Sequence, residues 1–164
     1  RGGGRQRKLT FAANLIAVAV AAALAASPAV GCSRPADLAT LTADVGAAMN
    51  AERDLKGRAP LARDTRLDRA AQDHACWMSE TGQFSHKGAG GSSLASRIEA
   101  AGFPLRRAAE NIALGQTSGS AVLADWMASP GHRKNILLAD ADAYGIGLAM
   151  LQGQPVWVMV FAGS

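Results

Sequence analysis

The chain has 164 residues, room for one domain, and a formal charge of +4. Four of its 17 basic residues, Arg1, Arg5, Arg7 and Lys8, fall in a head without a single acid, and the remaining 13 are balanced by 13 acidic side chains. A body of zero net charge lacks the basic footprint that a phosphate backbone requires, so no nucleic-acid partner is expected.

The head, RGGGRQRK, runs into LTFAANLIAVAVAAALAASPAV, an uncharged, alanine-rich stretch ending in small residues. That is the layout of a secretory signal peptide over residues 1–31. The run is nearly long enough to span a bilayer, so a retained anchor competes with cleavage. Cleavage is favoured by Ala29-Val30-Gly31-Cys32, which resembles a bacterial lipoprotein box with Ala29 where leucine is usual. On that reading Cys32 takes a lipid, becomes the mature N-terminus and ties the domain to the envelope membrane. On either reading the domain works outside the cytoplasm. The second cysteine, Cys76, is then a small buried hydrophobe; a Cys32–Cys76 disulfide is the alternative if no lipid is attached.

Residues 32–37 form a short tether, and the domain is taken as 38–164. Leu38, Leu41, Val45, Met49 and Leu55 follow helical spacing, with Gly57 as the stop. Leu67, Ala71, His74 and Met78 share one face of a second helix that Gly82 closes. A loop, HKGAGGSS, leads from His86 to a third helix, Leu94 to Ala101, ended by Gly102. ENIALG reads as a strand, and Ser118 or Ser120 can cap a fourth helix through Val122, Leu123, Trp126 and Met127. The chain closes on AYGIGLAML and PVWVMVFA, two β-rich runs joined by the turn residues QGQ, an antiparallel hairpin. The second run is apolar on both faces, as a central strand covered on each side should be. Helices first and a doubly covered strand last imply an α/β protein, a three-layer α-β-α sandwich.

Three histidines are available for chemistry. His74 lies on the apolar face of its helix and reads as a hydrogen-bonded core residue. His86 and His132 each follow a turn-like break and open a loop; in WMASPGHRKNIL the Ser129-Pro130-Gly131 stop comes directly before His132. Glu110 opens an otherwise apolar strand between them. Two imidazoles and a carboxylate are a zinc donor set with an open position, but the gaps are long and no local metal signature supports them. No nucleophile elbow, phosphate loop or dinucleotide fingerprint is present.

Several phrases together resemble the CAP (SCP-like) superfamily, especially its bacterial branch: NAERDLKGRAPLARDTRLDRAAQDHACWMSETGQFSH from Asn50 to His86, Arg97 with Gly102 and AENIALG, then VLADWMASPGHRKNIL, YGIGLAM and VWVMVF. The resemblance covers about Leu41 to Ala162. It implies the same sandwich and a central cleft where His86, Glu110 and His132 converge, with the Ser129 break bringing His132 in. Eukaryotic members carry a second glutamate three residues after the helix tryptophan; here that place after Trp126 is Ser129. Zinc would then rest on His86, His132 and water, with Glu110 behind them or acting as a base. The resemblance favours a monomeric binding module for a lipid or another envelope component. A metal-assisted hydrolase using Glu110 with His86 and His132 is the alternative, and a structural envelope protein with a His/Glu network is the third reading.

Overall fold

The computed structural model describes residues 2–3 and 31–164. Most of the signal segment and half of the lipoprotein box, Ala29 and Val30, lie outside them. Among the described residues, no helix is long and apolar enough to cross a membrane.

The elements run α1 (Leu38–Leu55), β1 (Ala62–Arg63), α2 (Thr65–Thr81), α3 (Leu94–Ala100), β2 (Arg107–Leu114), α4 (Gly119–Ala128), α5 (Pro130–Ile136), β3 (Ala143–Leu151) and β4 (Gln154–Gly163). The strands form one sheet in the order β1-β3-β4-β2, so β4 is central, as its two apolar faces require. β3 and β4 are an antiparallel hairpin, and Gln152 and Gly153 both take positive φ at its two-residue turn. The layers follow from side-chain alternation. On one face Tyr144, Ile146, Leu148, Trp157, Met159 and Phe161 join α1, α4 and α5. On the other, Ala143, Ala149, Val156, Val158 and Val160 join α2 and α3. The α-β-α sandwich is therefore the architecture.

α2 lies almost on the backbone of β3. Its apolar stripe, Leu67, Ala70, Ala71, Ala75 and Met78, is fully or nearly fully buried. Gly145 and Gly147 face it, and a Cβ on Gly145 would stand 2.1 Å from the Leu67 carbonyl carbon. The polar flank of the same helix completes the strand. Asp68 accepts from the Ile146 N–H (2.9 Å), Gln72 donates to the Leu148 carbonyl (3.0 Å), and Ser79 donates to that of Met150 (2.6 Å). β1 covers only the first two residues of β3, so these side chains take the bonds a longer neighbour would make.

Two expectations need correcting. The residues after Ser129 are not a loop. Pro130 opens a second helix, its fixed φ and missing N–H suiting the first helical position, and His132 rides in its first turn. Cys32 and Cys76 are joined in a disulfide, their Cα atoms 4.8 Å apart. That bond takes the sulfur which the lipoprotein reading assigns to a lipid, so an anchor at Cys32 cannot coexist with this form. The bridge fixes the start of the domain against α2, and the Ser33 carbonyl accepts from the Met150 N–H (2.8 Å). Closing a loop of that length stabilises a fold by about 4 kcal/mol on chain-entropy grounds.

Replacing Gly145 with alanine should cost about 3 kcal/mol, because the new methyl meets helix backbone that cannot step aside. Gly131→Ala, where the Cβ would point into open space, should leave stability within about 0.5 kcal/mol. Urea denaturation of both variants checks the contrast.

Candidate functional site: a braced carboxylate between two histidines

β2 is an edge strand, and consecutive residues on it face opposite layers. Glu110 turns to the α2/α3 side and Asn111 to the α1/α4/α5 side. Glu110 is buried, with its side chain only 3% exposed. A carboxylate so placed needs its charge matched and its oxygens bonded. Both conditions are met. Arg97 of α3 donates through Nη2 to Oε2 at 2.6 Å, and His86 Nδ1 stands 2.8 Å from Oε1. Arg97 is itself 90% covered, and its Nη1 donates to the carbonyls of His86 and Ser92, both at 3.1 Å. One guanidinium thus holds the carboxylate and the backbone of the histidine beside it. The His86 ring remains 59% exposed, at the mouth of the cleft.

His132 is placed by its helix, and that helix by amides. Asn111, fully buried, donates to the His132 carbonyl (3.1 Å); Asn135 donates to the Asn111 side-chain oxygen (2.9 Å) and to the Glu110 carbonyl (3.3 Å). At the far end of α5, buried Arg53 donates to the Ile136 carbonyl (2.7 Å) and the Leu138 carbonyl (3.0 Å). His132 is half-buried. Burial first, and the nearby charge of His86 second, hold its proton affinity below the ordinary histidine value.

The sequence-predicted trio therefore divides. His86 and Glu110 are in direct contact. His132 stands within electrostatic reach of His86, but no hydrogen bond joins its ring to Glu110 among the described residues. Ser129 is the extended residue between α4 and α5; its carbonyl accepts from the Arg133 N–H (2.8 Å), and its hydroxyl caps nothing. The third member of the carboxylate cluster is Arg97, which in the sequence stands only as part of a family phrase. A glutamate in an apolar strand is the signal that could have found it, since a buried acid demands a cation.

Zinc does not find a complete donor set here. Glu110 stands behind His86 as an orienting carboxylate does in metal sites, but its other oxygen belongs to Arg97. That leaves two imidazoles, one protein ligand short of the three that catalytic zinc sites use. Among the described residues no three His, Cys, Asp or Glu side chains are arranged to hold a metal ion.

The model of the CAP: Cysteine-rich secretory protein family matches residues 47–161, more than half of the chain. The chain belongs to the CAP family. It is 31% identical over 132 residues to the uncharacterized Bacillus subtilis protein YkwD, covering 80% of this chain and 51% of YkwD. To the B. subtilis membrane protein YlbC it is 35% identical over 92 residues, covering 56% of this chain and 27% of YlbC. The chain thus spans about half or less of the curated relatives it matches. Among solved structures, an extracellular SCP-domain protein from Bacillus anthracis superposes with a TM-score of 0.72 at 25% identity, covering 77% of this chain and 41% of the other. An outer surface protein of Borrelia burgdorferi has the same fold, with a TM-score of 0.73 at 18% identity, covering 80% and 98% of the two chains.

The buried His74 of this CAP domain is a core residue, as expected, its Nε2 donating to the Ser85 carbonyl at 2.8 Å. Burial is the main cause that lowers its proton affinity too. With His74 and His132 both depressed in the fold, the unfolded chain binds more protons once the pH drops below the free histidine value of about 6.5. Stability is thus complete above that pH and declines below it. Thermal melts from pH 7 to pH 5 should show a falling Tm, and the two ring resonances should titrate in NMR with midpoints under about 6.5. Midpoints at or above the free value would contradict the burial argument.

Proposed function

We propose that this CAP domain is an extracytoplasmic binding module for an acidic envelope lipid, and that its cleft is not a hydrolytic centre. The observation that carries the second half is the state of Glu110, whose two oxygens are taken by His86 and Arg97. A general base must offer a lone pair to a water or hydroxyl within reach, and this side chain is only 3% exposed, so the lone pairs that His86 and Arg97 leave free have little access to one. Supplying zinc does not restore the chemistry, because the donor set stops at two imidazoles.

The mouth of the cleft supports the first half. His86 is flanked by exposed Lys87, and His132 is followed by exposed Arg133 and Lys134. Phe84, 46% exposed, adds an aromatic face two residues before His86. Exposed cations next to both cleft histidines in the chain, and an exposed aromatic side chain beside one of them, suit an anionic headgroup with apolar material behind it. Export is supported by the signal-like head, by the disulfide, which persists in oxidising compartments, and by the extracellular and outer-surface proteins that share the fold.

Sedimentation with vesicles separates the readings. The full chain should bind phosphatidylglycerol vesicles and not phosphatidylcholine ones. Lys87→Glu with Arg133→Glu should weaken that binding about tenfold or more, each basic side chain near such a surface contributing about 1 kcal/mol. In parallel, ester and peptide substrates with and without zinc should show no turnover above background. Turnover that disappears in Glu110→Gln would overturn the proposal, as would equal binding to both vesicle types.

A further inference from the structure

A hollow of about 420 Å³ opens beside β3, on the side of the sheet away from the β2 edge that carries the cleft. β1 pairs there only with Ala143 and Tyr144, and the next backbone group to meet β3 is the Ser33 carbonyl at Met150. Ile146 lines the gap between them, with Asp68 and Gln72 of α2 beside it. Three arginines line the same space, each from a different part of the chain: Arg34 from the segment before α1, Arg63 from β1 and Arg69 from α2. Arg63 is committed, its Nε donating to both Asp68 oxygens (3.0 and 3.1 Å) and its Nη2 to Thr42 (3.3 Å). Arg34 is held at the other end, where its Nη2 and the Gln72 Nε2 both reach Cys76 Sγ (3.6 and 3.4 Å). Asp68, Gln72 and Cys76 lie on successive turns of α2, so the two guanidiniums stand one to two turns apart, about 5–11 Å. Among the described residues neither Arg34 nor Arg69 has an ion-pair partner. Of the lining carboxylates only Asp73 is unpaired, so the uncancelled charge of the hollow is positive. Arg34, Arg69 and Asp73 are all exposed, and a solute reaches them without any opening of the core.

We propose that this hollow binds a phosphate monoester, its oxygens accepting from Arg34 and Arg69. A guanidinium offers its N–H groups in a planar fork that matches phosphate oxygens. Two unmatched guanidiniums call for the nearly two negative charges that a monoester carries at neutral pH, whereas a single carboxylate would match only one of them. The donors are free to serve: Arg34 keeps its Nε and Nη1 unbonded, and the head of Arg69 makes no hydrogen bond among the described residues. The segment that carries Arg34 is pinned by the Cys32–Cys76 bridge and by the bond from Met150 to Ser33, which sets this cation in the wall. Asp73 opposes an anion, so loss of its charge should tighten binding.

Glycerol 3-phosphate in solution and phosphatidic acid in phosphatidylcholine vesicles are the probes, because a free phosphate monoester and a lipid headgroup present the same group. Both are applied to the full chain carrying Lys87→Glu and Arg133→Glu, which removes cations at the cleft and keeps the outcome separate from that of the proposed function. Glycerol 3-phosphate should shift the Arg34 and Arg69 Nε–H resonances saturably, and acetate should bind about tenfold or more weakly. Arg34→Ala and Arg69→Ala, both at exposed positions, should each weaken phosphate binding about tenfold, and Asp73→Asn should strengthen it. Vesicle sedimentation that falls in the same two arginine variants would assign the phosphate to a membrane lipid. An effect confined to the soluble probe would assign it to a free ester. The proposal is overturned if neither probe binds in a way that depends on Arg34 and Arg69, if acetate binds as tightly as the phosphate, or if Asp73→Asn weakens binding.

Discussion

A glutamate on a strand that packs between two layers must be neutralised where it stands, and the arrangement of this cleft follows from how Glu110 is matched. Arg97 reaches it from α3, and the same guanidinium pins the carbonyls of His86 and Ser92, which fixes the loop between α2 and α3. His86 closes the other oxygen from the solvent side. Such a pair adds little net stability compared with an apolar core, since desolvation offsets much of the attraction. Its effect is positional: removing one member leaves the other buried and unmatched, so the loop, the helix and the strand hold one relative placement.

The opposite half of the cleft is built without charge pairing. Asn111 and Asn135 bond α5 to β2, and Arg53 caps the end of α5 from α1, which brings His132 to within electrostatic reach of His86. Both halves depend on a rigid sheet. Gly145 and Gly147 let α2 sit directly on β3, and Asp68, Gln72 and Ser79 take the strand's remaining backbone bonds. A cleft framed in this way holds the His86 ring and the backbone of α5 in set positions. Its carboxylate is buried behind His86 and Arg97, each bonded to one of its oxygens.

Much of this was legible in the sequence because local signals agreed with the fold. Gly57 and Gly82 lie where the helical periodicities end, the apolar run of PVWVMVFA is the central strand, and the break at Ser129 is where the chain changes direction. The rest depended on contacts distant in sequence. Pro130 reads equally as a stop or a start, and only the packing of α5 on β2 shows that it starts a helix. β1 has two residues, too few for any periodicity. Arg97 is thirteen positions before Glu110, at a spacing that signifies nothing until α3 and β2 are brought together. The partner of Cys32 could not be chosen from spacing, because a lipid and a disulfide compete for one sulfur. The trio inferred from resemblance was incomplete for a related reason: the family phrases mark which residues meet, not which atoms bond.

A double-mutant cycle on Arg97→Gln and Glu110→Gln, read by chemical denaturation, tests the central claim most directly. If the carboxylate and guanidinium are one unit, each single change should strand its partner, and the double variant should recover about 2 kcal/mol relative to the sum of the singles. Additivity within about 0.5 kcal/mol would mean that the two side chains do not depend on each other, and the account of the cleft as a braced carboxylate would fail.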